Sequence, residues 1–459
     1  MTSLSTASKI ASGSLAATQV QLAVTSSNIA NADTDGYTRK TASQVAETTS
    51  GAGTGVSVST ISSKVSRILI EQLAEATSDT AAATTTASYL DQLQSAMGST
   101  TSSDDTGTSL ANSIADVETA LSNLANTPKS TTLAASTVDA LENLTSQIRN
   151  QSSDIQDLRQ QADEEIATAV DSANEAIETI DRLNDLILQA SARGESTADL
   201  EDQRNSALVS LSESLGVTSF ITSDGTMKVY TTSGQVLVDA SAHTLSYDAS
   251  STVTSDLTYD GSASGLSGIT VDGNDITGDI STGTIAALVE LRDETLPAVQ
   301  DMLDELATSL IDSLNTIRPD LLTGADATDI SVNTDLIESP SDLLSSTGAA
   351  EMATDLLDAL QNDTNFGAAG GLGARTSSFA DYATDILSSV VTQTNNASSK
   401  LETAEAELSA ISDTVSSTYG VNVDEETARL ADLENLYSIS SQILSVIQEM
   451  FEDLIAAVQ

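Results

Sequence analysis

The sequence predicts a mainly α-helical protein, a long helical bundle or rod with a small inserted β domain, whose N- and C-terminal helices pair as a coiled coil. Three observations predict this class. Only four prolines interrupt the 459 residues, so long helices are permitted. Aromatic residues make up 3% and tryptophan is absent, so the cores must be thin and built from Leu, Ile, Val and Ala. Apolar residues recur at helical spacing along most of the chain.

The N-terminal half alternates helical segments with short breaks. Residues 3–30 carry apolar or small residues at helical spacing, and the turn-forming residues 31–36 end that helix. Residues 40–60 are rich in Thr, Ser and Gly, and the alternation GVSVSTIS, residues 55–62, predicts a short strand. The helical period returns over 64–97, 109–126, 130–192 and 197–215. The segment 130–192 contains neither Pro nor Gly and gives the longest of these signals.

The helical periodicity ends at Gly216. Residues 217–283 contain short β-branched runs separated by Asp-Gly, Ser-Gly and Gly-Asn turns, which predict a small β domain. Helices are expected again over 284–317, 351–361, 376–417 and 424–458, with an irregular stretch at 318–350. The predicted domains are therefore a terminal coiled-coil core (1–60 with 418–459), a helical rod domain (61–216 with 284–417) and the small β domain (217–283).

The C-terminal helix carries a heptad repeat, which is the most specific of these patterns. Its apolar positions step alternately by three and four residues, with one polar exception at Ser440. Ile439, Ile443, Met450 and Ile455 add apolar residues beside this seam, so the helix is expected to contact more than one partner helix. The seam consists of Leu430, Leu433, Tyr437, Ser440, Leu444, Ile447, Phe451, Leu454 and Val458.

Charge and composition exclude several classes of partner. The net charge is −50, from 67 acidic and 17 basic residues. Such a chain has no basic patch that could neutralise phosphates, so no nucleic-acid partner is expected. No apolar run approaches the length of a membrane span, so no membrane insertion is expected either. The N-terminus lacks the apolar core of a secretory signal peptide, which predicts a cytoplasmic protein or export without signal cleavage.

The sequence offers little support for catalysis or metal binding. Cysteine is absent and His243 is the single histidine, so no Cys/His cluster exists for a metal. Acidic pairs such as Glu425 and Glu426 are expected to be solvated helix faces, because 67 acidic residues produce such pairs by chance. DGNDITGD, residues 272–279, resembles a calcium loop superficially, but Ile276 occupies a position where an oxygen ligand should be. We therefore expect no enzyme activity, cofactor or metal.

Three segments resemble the bacterial flagellar axial proteins, a family of rod, hook and hook-associated proteins. SNIANADTDGYTR, residues 27–39, is similar to their N-terminal signature, and its Gly-Tyr-Thr-Arg ending looks more like the hook-associated members that join hook to filament. LEDQRNSALVSLSESLGV, residues 200–217, resembles the segment that precedes the β domain of those members. Residues 419–455 resemble the shared C-terminal signature, in which Gly-Val-Asn and an acidic pair precede the heptad helix.

The resemblance implies a structural component of the bacterial flagellum, located outside the cell and exported by the flagellar type III apparatus without signal cleavage. It implies self-assembly into a ring or helical layer at the hook–filament junction. The implied partners are the flagellar hook protein, the next hook-associated protein (FlgL-type) and a cytoplasmic export chaperone (FlgN-type).

The resemblance also implies where subunits meet. The terminal helices would pair within one chain and with neighbouring subunits, Tyr37 would bury its ring at a subunit contact, and Arg39 would pair with carboxylates across it. The alternative is a turn whose residues are satisfied within their own chain. The expected interface residues are Leu15, Leu22, Asn28, Ile29, Asn31, Gly36, Tyr37, Arg39, Leu430, Leu433, Tyr437, Leu444, Ile447, Phe451 and Leu454.

Two other functions remain open at this point. Within the same family, the chain could be a flagellar hook or distal rod protein. From another class, it could be a secreted coiled-coil adhesin or hydrolase whose terminal helices only oligomerise it.

Overall fold

The protein is described by a computed structural model that covers residues 2–49, 52–99, 107–261, 265–344 and 348–456. It is mainly helical with several small sheets, so the predicted fold class is confirmed. The chain forms two compact units, each built from separated stretches. Unit 1 comprises Met1–Ser78, Ser172–Thr244 and Glu405–Gln459, and unit 2 comprises Asp79–Asp171 and Leu245–Ala404.

The helices match the predicted segments closely, except for the short α8, which lies in the stretch 318–350 that was expected to be irregular. They are α1 (Thr2–Ala30), α2 (Arg67–Met97), α3 (Leu110–Asn126), α4 (Thr131–Arg193), α5 (Ala198–Ser214), α6 (Thr284–Glu290), α7 (Leu296–Ile317), α8 (Thr334–Glu338), α9 (Ala349–Gln361), α10 (Phe379–Tyr419) and α11 (Val423–Ala456). A π-helical turn at Leu291–Thr295 joins α6 to α7, and 3₁₀ turns lie at Thr277–Asp279 and Pro340–Leu344.

The strands are short and pair as hairpins or three-stranded meanders. They are β1 (Thr41–Thr49), β2 (Ala52–Ser62), β3 (Val217–Ile221), β4 (Met227–Thr231), β5 (Val236–Val238), β6 (Leu245–Ser246), β7 (Thr270–Val271), β8 (Asn274–Asp275), β9 (Leu322–Thr323), β10 (Ser331–Val332), β11 (Thr364–Phe366) and β12 (Arg375–Ser377). The predicted β segment 217–283 contributes β3–β4–β5 to unit 1 and β6–β7–β8 to unit 2.

Unit 1 is organised around the terminal helices. α1 packs along α11, and the hairpin β1–β2 packs on α1 through its inner strand β2. A Cβ at Gly13 would lie 2.9 Å from the carbonyl oxygen of Val56, so the glycine allows the helix and strand backbones to approach closely. The antiparallel sheet β3–β4–β5 completes the unit, with Gly225 at φ 90° in the β3–β4 turn.

Unit 2 has an aliphatic core with one aromatic cluster. α9 packs against α3 and α7, and their buried residues are almost all Leu, Ile, Val, Met and Ala. The rings of Phe366 and Tyr382 stack with centroids 4.0 Å apart, and Phe379 meets Phe366 edge-on at 5.3 Å. Burial raises the pKa of Tyr382 to about 12. The core expected from the composition, built mainly from Leu, Ile, Val and Ala, is confirmed.

Unit 2 also contains a buried charged centre around Arg292, which lies in the π-helical turn and is 0% exposed. Its Nη1 donates to Asp163 Oδ1 at 2.9 Å, and its Nε pairs with Asp293 at 2.8 Å. Arg159 donates to the carbonyls of Arg292, Thr254 and Leu257. A buried arginine stays charged, so these acceptors must replace the water it loses.

Candidate functional site

The seam of α11 faces α1 of the same chain. Leu433, Ser440 and Ile447 are buried, and Leu430, Tyr437, Leu444 and Phe451 are half-buried, whereas Leu454 is exposed. Val458 lies outside the described residues. The predicted pairing of the terminal helices is therefore confirmed within one chain, and on α1 the expected residues Leu15, Leu22 and Ile29 are half-buried.

Ser440, the one polar residue of the seam, has a hydrogen-bond partner on α1. Ser440 Oγ lies 3.2 Å from Ser14 Oγ, where the two hydroxyls share a hydrogen bond between the helices. Gln19 Nε2 donates to the Tyr437 hydroxyl at 3.4 Å, one turn further along the pair. A buried polar pair of this kind penalises other registers, because sliding the helices would leave both hydroxyls unsatisfied.

A second apolar face of α11 is exposed. We call it the exposed stripe; its members are Leu436, Ile439, Ile443, Val446, Met450 and Ile455, each 44–57% exposed. Alternating steps of three and four residues place most of them on one face of the helix. The exposed side of α1 consists mostly of small residues, including Ser12, Ala16 and Ala23. Large apolar side chains are therefore exposed on α11, and mostly small side chains are exposed on α1.

The turn after α1 begins at Asn31, directly after the last residue of the helix. Asn31 Nδ2 donates to the Ser27 carbonyl at 2.9 Å, and Tyr37 N donates to the Thr34 carbonyl at 3.1 Å. Gly36 has φ 73°, a left-handed conformation that favours glycine, and a Cβ there would also displace the Ser206 hydroxyl. The chain then runs extended into β1.

Residues 37–40 form a cluster with partners from distant parts of unit 1. We call Asn28, Tyr37, Thr38, Arg39, Lys40, Asp202 and Glu426 the motif cluster. Its first half joins α1 to α11. Glu426, which is 1% exposed, accepts from Arg39 Nε at 2.7 Å and from Asn28 Nδ2 at 3.0 Å. Asn28 Oδ1 also accepts from the Tyr37 hydroxyl at 3.1 Å and from Lys40 N at 3.0 Å.

The second half of the motif cluster joins residues 38–40 to α5. Asp202 accepts from Thr38 N at 2.8 Å and from Thr38 Oγ1 at 2.7 Å, and it forms an ion pair with Lys40. Lys40 is 4% exposed and its Nζ lies 4.1 Å from the centre of the Tyr37 ring. Burial, together with nearby carboxylates, raises the pKa of Tyr37.

The structure thus places the expected residues Asn28, Tyr37 and Arg39 together, each bonded to partners in its own chain. Sequence reasoning missed Lys40, Asp202 and Glu426, and the expectation that Glu426 is solvated was wrong. The signal was present. Arg39 and Lys40 are two of only three basic residues in the first 62. Their carboxylate partners lie in two motifs that the sequence also shows, Asp202 in LEDQR and Glu426 in the acidic pair.

The outer side of the turn is open. An open groove of about 570 Å³ lies beside it in unit 1, lined by Asn31, Gly36, Tyr37, Arg182, Asp199 and Ser206 among others. Three of the expected interface residues therefore have one side within the chain and another side accessible.

Comparison with known families identifies the protein family of this chain. The family model described as "Flagellar hook-associated protein FlgK helical domain" matches residues 90–329, more than half of the chain. The chain belongs to the FlgK family. A second model, "Flagella basal body rod protein", matches residues 9–38, which contain most of α1 and the turn. The FlgK family is a family of structural flagellar proteins.

Among solved structures, the FlgK-family chain is similar to the flagellar hook junction protein FlgK from Burkholderia pseudomallei. The two are 23% identical, with a TM-score of 0.45, over 55% of this chain and 44% of that chain. The match thus spans less than half of that protein's length. No curated protein matches the sequence. Within the described ranges, no helix is long and apolar enough to span a membrane, and no group of three His, Cys, Asp or Glu side chains could hold a metal ion.

Proposed function

We propose that this protein forms the layer at the hook–filament junction of the bacterial flagellum, a structural and non-enzymatic role. Membership of the FlgK family carries the proposal. Assembly of copies would use the terminal helices, with α1 and α11 paired within each chain and the exposed stripe packing on a neighbouring copy. The partners would be the hook protein on one side and a FlgL-type protein on the other, after export assisted by a FlgN-type chaperone.

The distribution of charge supports self-assembly near the N-terminus. Residues 1–62 contain three basic and three acidic residues, so they are neutral, while the remaining residues carry the whole net charge of −50. Copies of so acidic a protein repel one another. The neutral N-terminal segment is where that repulsion is weakest, and α1 itself contains no acidic residue.

Electron microscopy of a strain lacking the gene tests the proposal, with flagellin assayed in the medium. We expect complete hooks without filaments, and flagellin shed from the cells. Missing hooks would instead indicate a hook or distal rod protein, for which the match of residues 9–38 to the rod family is the supporting observation. Normal filaments would refute a junction role.

Complementation of that strain tests the exposed stripe. Ile443→Asp places a charge on a side chain that is 48% exposed, so the chain should fold but filaments should not form. Ser445→Asp is the matched control, because Ser445 is exposed on the same helix but away from both the stripe and the seam. Leu444→Asp in the seam should abolish assembly by separating α11 from α1. Filaments formed by the Ile443→Asp strain would contradict the assignment of the stripe.

A further inference from the structure

The hairpin β1–β2 presents an exposed strand beside the terminal helices. β2 lies on α1, but β1 lies outside it, and the six consecutive residues 43–48 are all exposed. Val45, in the middle of β1, is 50% exposed. A two-stranded ribbon is only marginally stable in water, and here α1 contacts β2 more extensively than it contacts β1.

The outer edge of β1 has little protection against pairing with another chain. Among the described residues, β1 pairs with β2 alone. Both irregularities of the pairing put the extra residue in β2, at Ser59 and Thr54, so β1 itself is regular. Proteins usually protect such edges with charged residues, above all lysine, or with proline or a bulge. β1 has no lysine, no proline and no extra residue of its own, and Glu47 is its one charged residue. Its row of free N–H and C=O groups is therefore available to another chain.

The charge of the hairpin indicates which chain can approach it. Glu47 is the only charged residue between Thr41 and Ser62. A second copy of this protein brings a net charge of −50 and is repelled from most of the surface. It meets least repulsion at a neutral hairpin, and this hairpin packs directly on α1, the helix assigned to assembly.

We propose that a neighbouring copy of this chain covers the free edge of β1, as a contact separate from the terminal helices. The inference rests on the proposed self-assembly and adds a second surface to it. The neighbour supplies backbone donors and acceptors to β1 and buries Val45. Main-chain pairing of this kind gives affinity without requiring charged groups.

A cross-linking experiment on isolated hooks tests the contact. The chain has no cysteine, so Val45→Cys creates a single attachment point for a benzophenone maleimide, which is attached to the purified monomer before the monomer is assembled onto hooks of the strain that lacks the gene. We expect illumination to link Cys-labelled protein to a second copy, at twice the mass of the chain, with the site found by mass spectrometry. Cross-links only to another protein, or none to a second copy, would overturn the inference. Absence of the chain from hook preparations would instead refute the proposed function.

A charge placed on the edge gives an independent readout. Ala46→Asp adds a carboxylate to exposed β1, and we expect about tenfold less chain in the hook preparation because the edge can no longer be covered without burying that charge. Ala406→Asp is the matched control, since Ala406 is exposed on α10 and belongs to the same unit. Equal incorporation of the two variants would contradict a contact at β1. Circular dichroism of both variants checks that the monomer fold is unchanged.

Discussion

Removal of the Asp202 carboxylate should release residues 38–40 from α5. Asp202→Ala leaves the Thr38 amide and hydroxyl without their acceptor and Lys40 without its buried partner. Breaking a buried ion pair from one side costs about 3–5 kcal/mol. Asp199, whose Oδ1 lies 3.6 Å from Lys40 Nζ, keeps a weaker interaction, so we expect the lower end, about 3 kcal/mol.

Native-state amide hydrogen exchange is the appropriate assay, because the chain has two units and a single unfolding transition is not assured. A loss of about 3 kcal/mol lowers the protection factor of the Lys40 amide, which donates to Asn28 Oδ1 and not to Asp202, about 150-fold. Asp199→Ala is the control, since its side chain is 70% exposed and should cost below about 1 kcal/mol. Lys40→Met combined with Asp202→Leu should recover the part of the loss that comes from the unpaired Lys40, but not the part that comes from the Thr38 amide and hydroxyl. Equal protection in Asp202→Ala and Asp199→Ala would refute the assignment of Asp202 as the anchor.

Three further outcomes are expected. Gly13→Val should weaken the docking of β2 on α1 by about 1–3 kcal/mol, seen as faster exchange in β2, because its Cβ would press on the Val56 carbonyl. Arg292→Met should cost about 3 kcal/mol or more, seen as faster exchange in residues 245–257, because it leaves Asp163 buried without its cation. Burial raises the pKa of Asp304 above the usual 3.8, so its protonated form is favoured by folding; the melting temperature should rise as the pH falls through the folded pKa towards 3.8, and less so in Asp304→Asn.

Each of these outcomes has a control. Gly53→Ala should be nearly neutral, because nothing lies within 4 Å of a Cβ there. The pair Arg292→Met with Asp163→Leu should be less destabilised than Arg292→Met alone, and an equal loss would show that the ion pair is not the cause. Asp312 is exposed, so Asp312→Asn should keep the full pH dependence. For Asp304, stability is gained below the folded pKa and lost as the pH rises through it; a melting temperature that falls on mild acidification would contradict this sign.

The sequence predicted the helices because the residues that determine a helix are close together in the chain. The stretch 130–192 has apolar residues at helical spacing and no breaker, and α4 spans Thr131–Arg193. The heptad identified the seam of α11, since the residues that repeat are those that pack. β1 was missed because TASQVAETT lacks the β-branched alternation of a strand, and its strand conformation comes from pairing with β2.

The motif cluster could be recognised by sequence but not assembled from it. Lys40 and Asp202 are 162 positions apart, and no local period relates them. Glu425 and Glu426 look alike in the sequence, yet one is exposed and the other is 1% exposed. The difference comes from Asn28 and Arg39, which approach only one of the two carboxylates at hydrogen-bond distance.

The bond between Asn28 and Glu426 joins residues 398 positions apart, and this separation affects the order of folding. Closing so long a loop of flexible chain costs about 5 kcal/mol of entropy, before any contact repays it. Helices and hairpins have no comparable cost, because their contacts are local. We therefore expect the pairing of α1 with α11 to be among the last events in folding. Until it occurs, α1 remains unpaired, and the apolar seam of α11 is accessible to whatever binds it first.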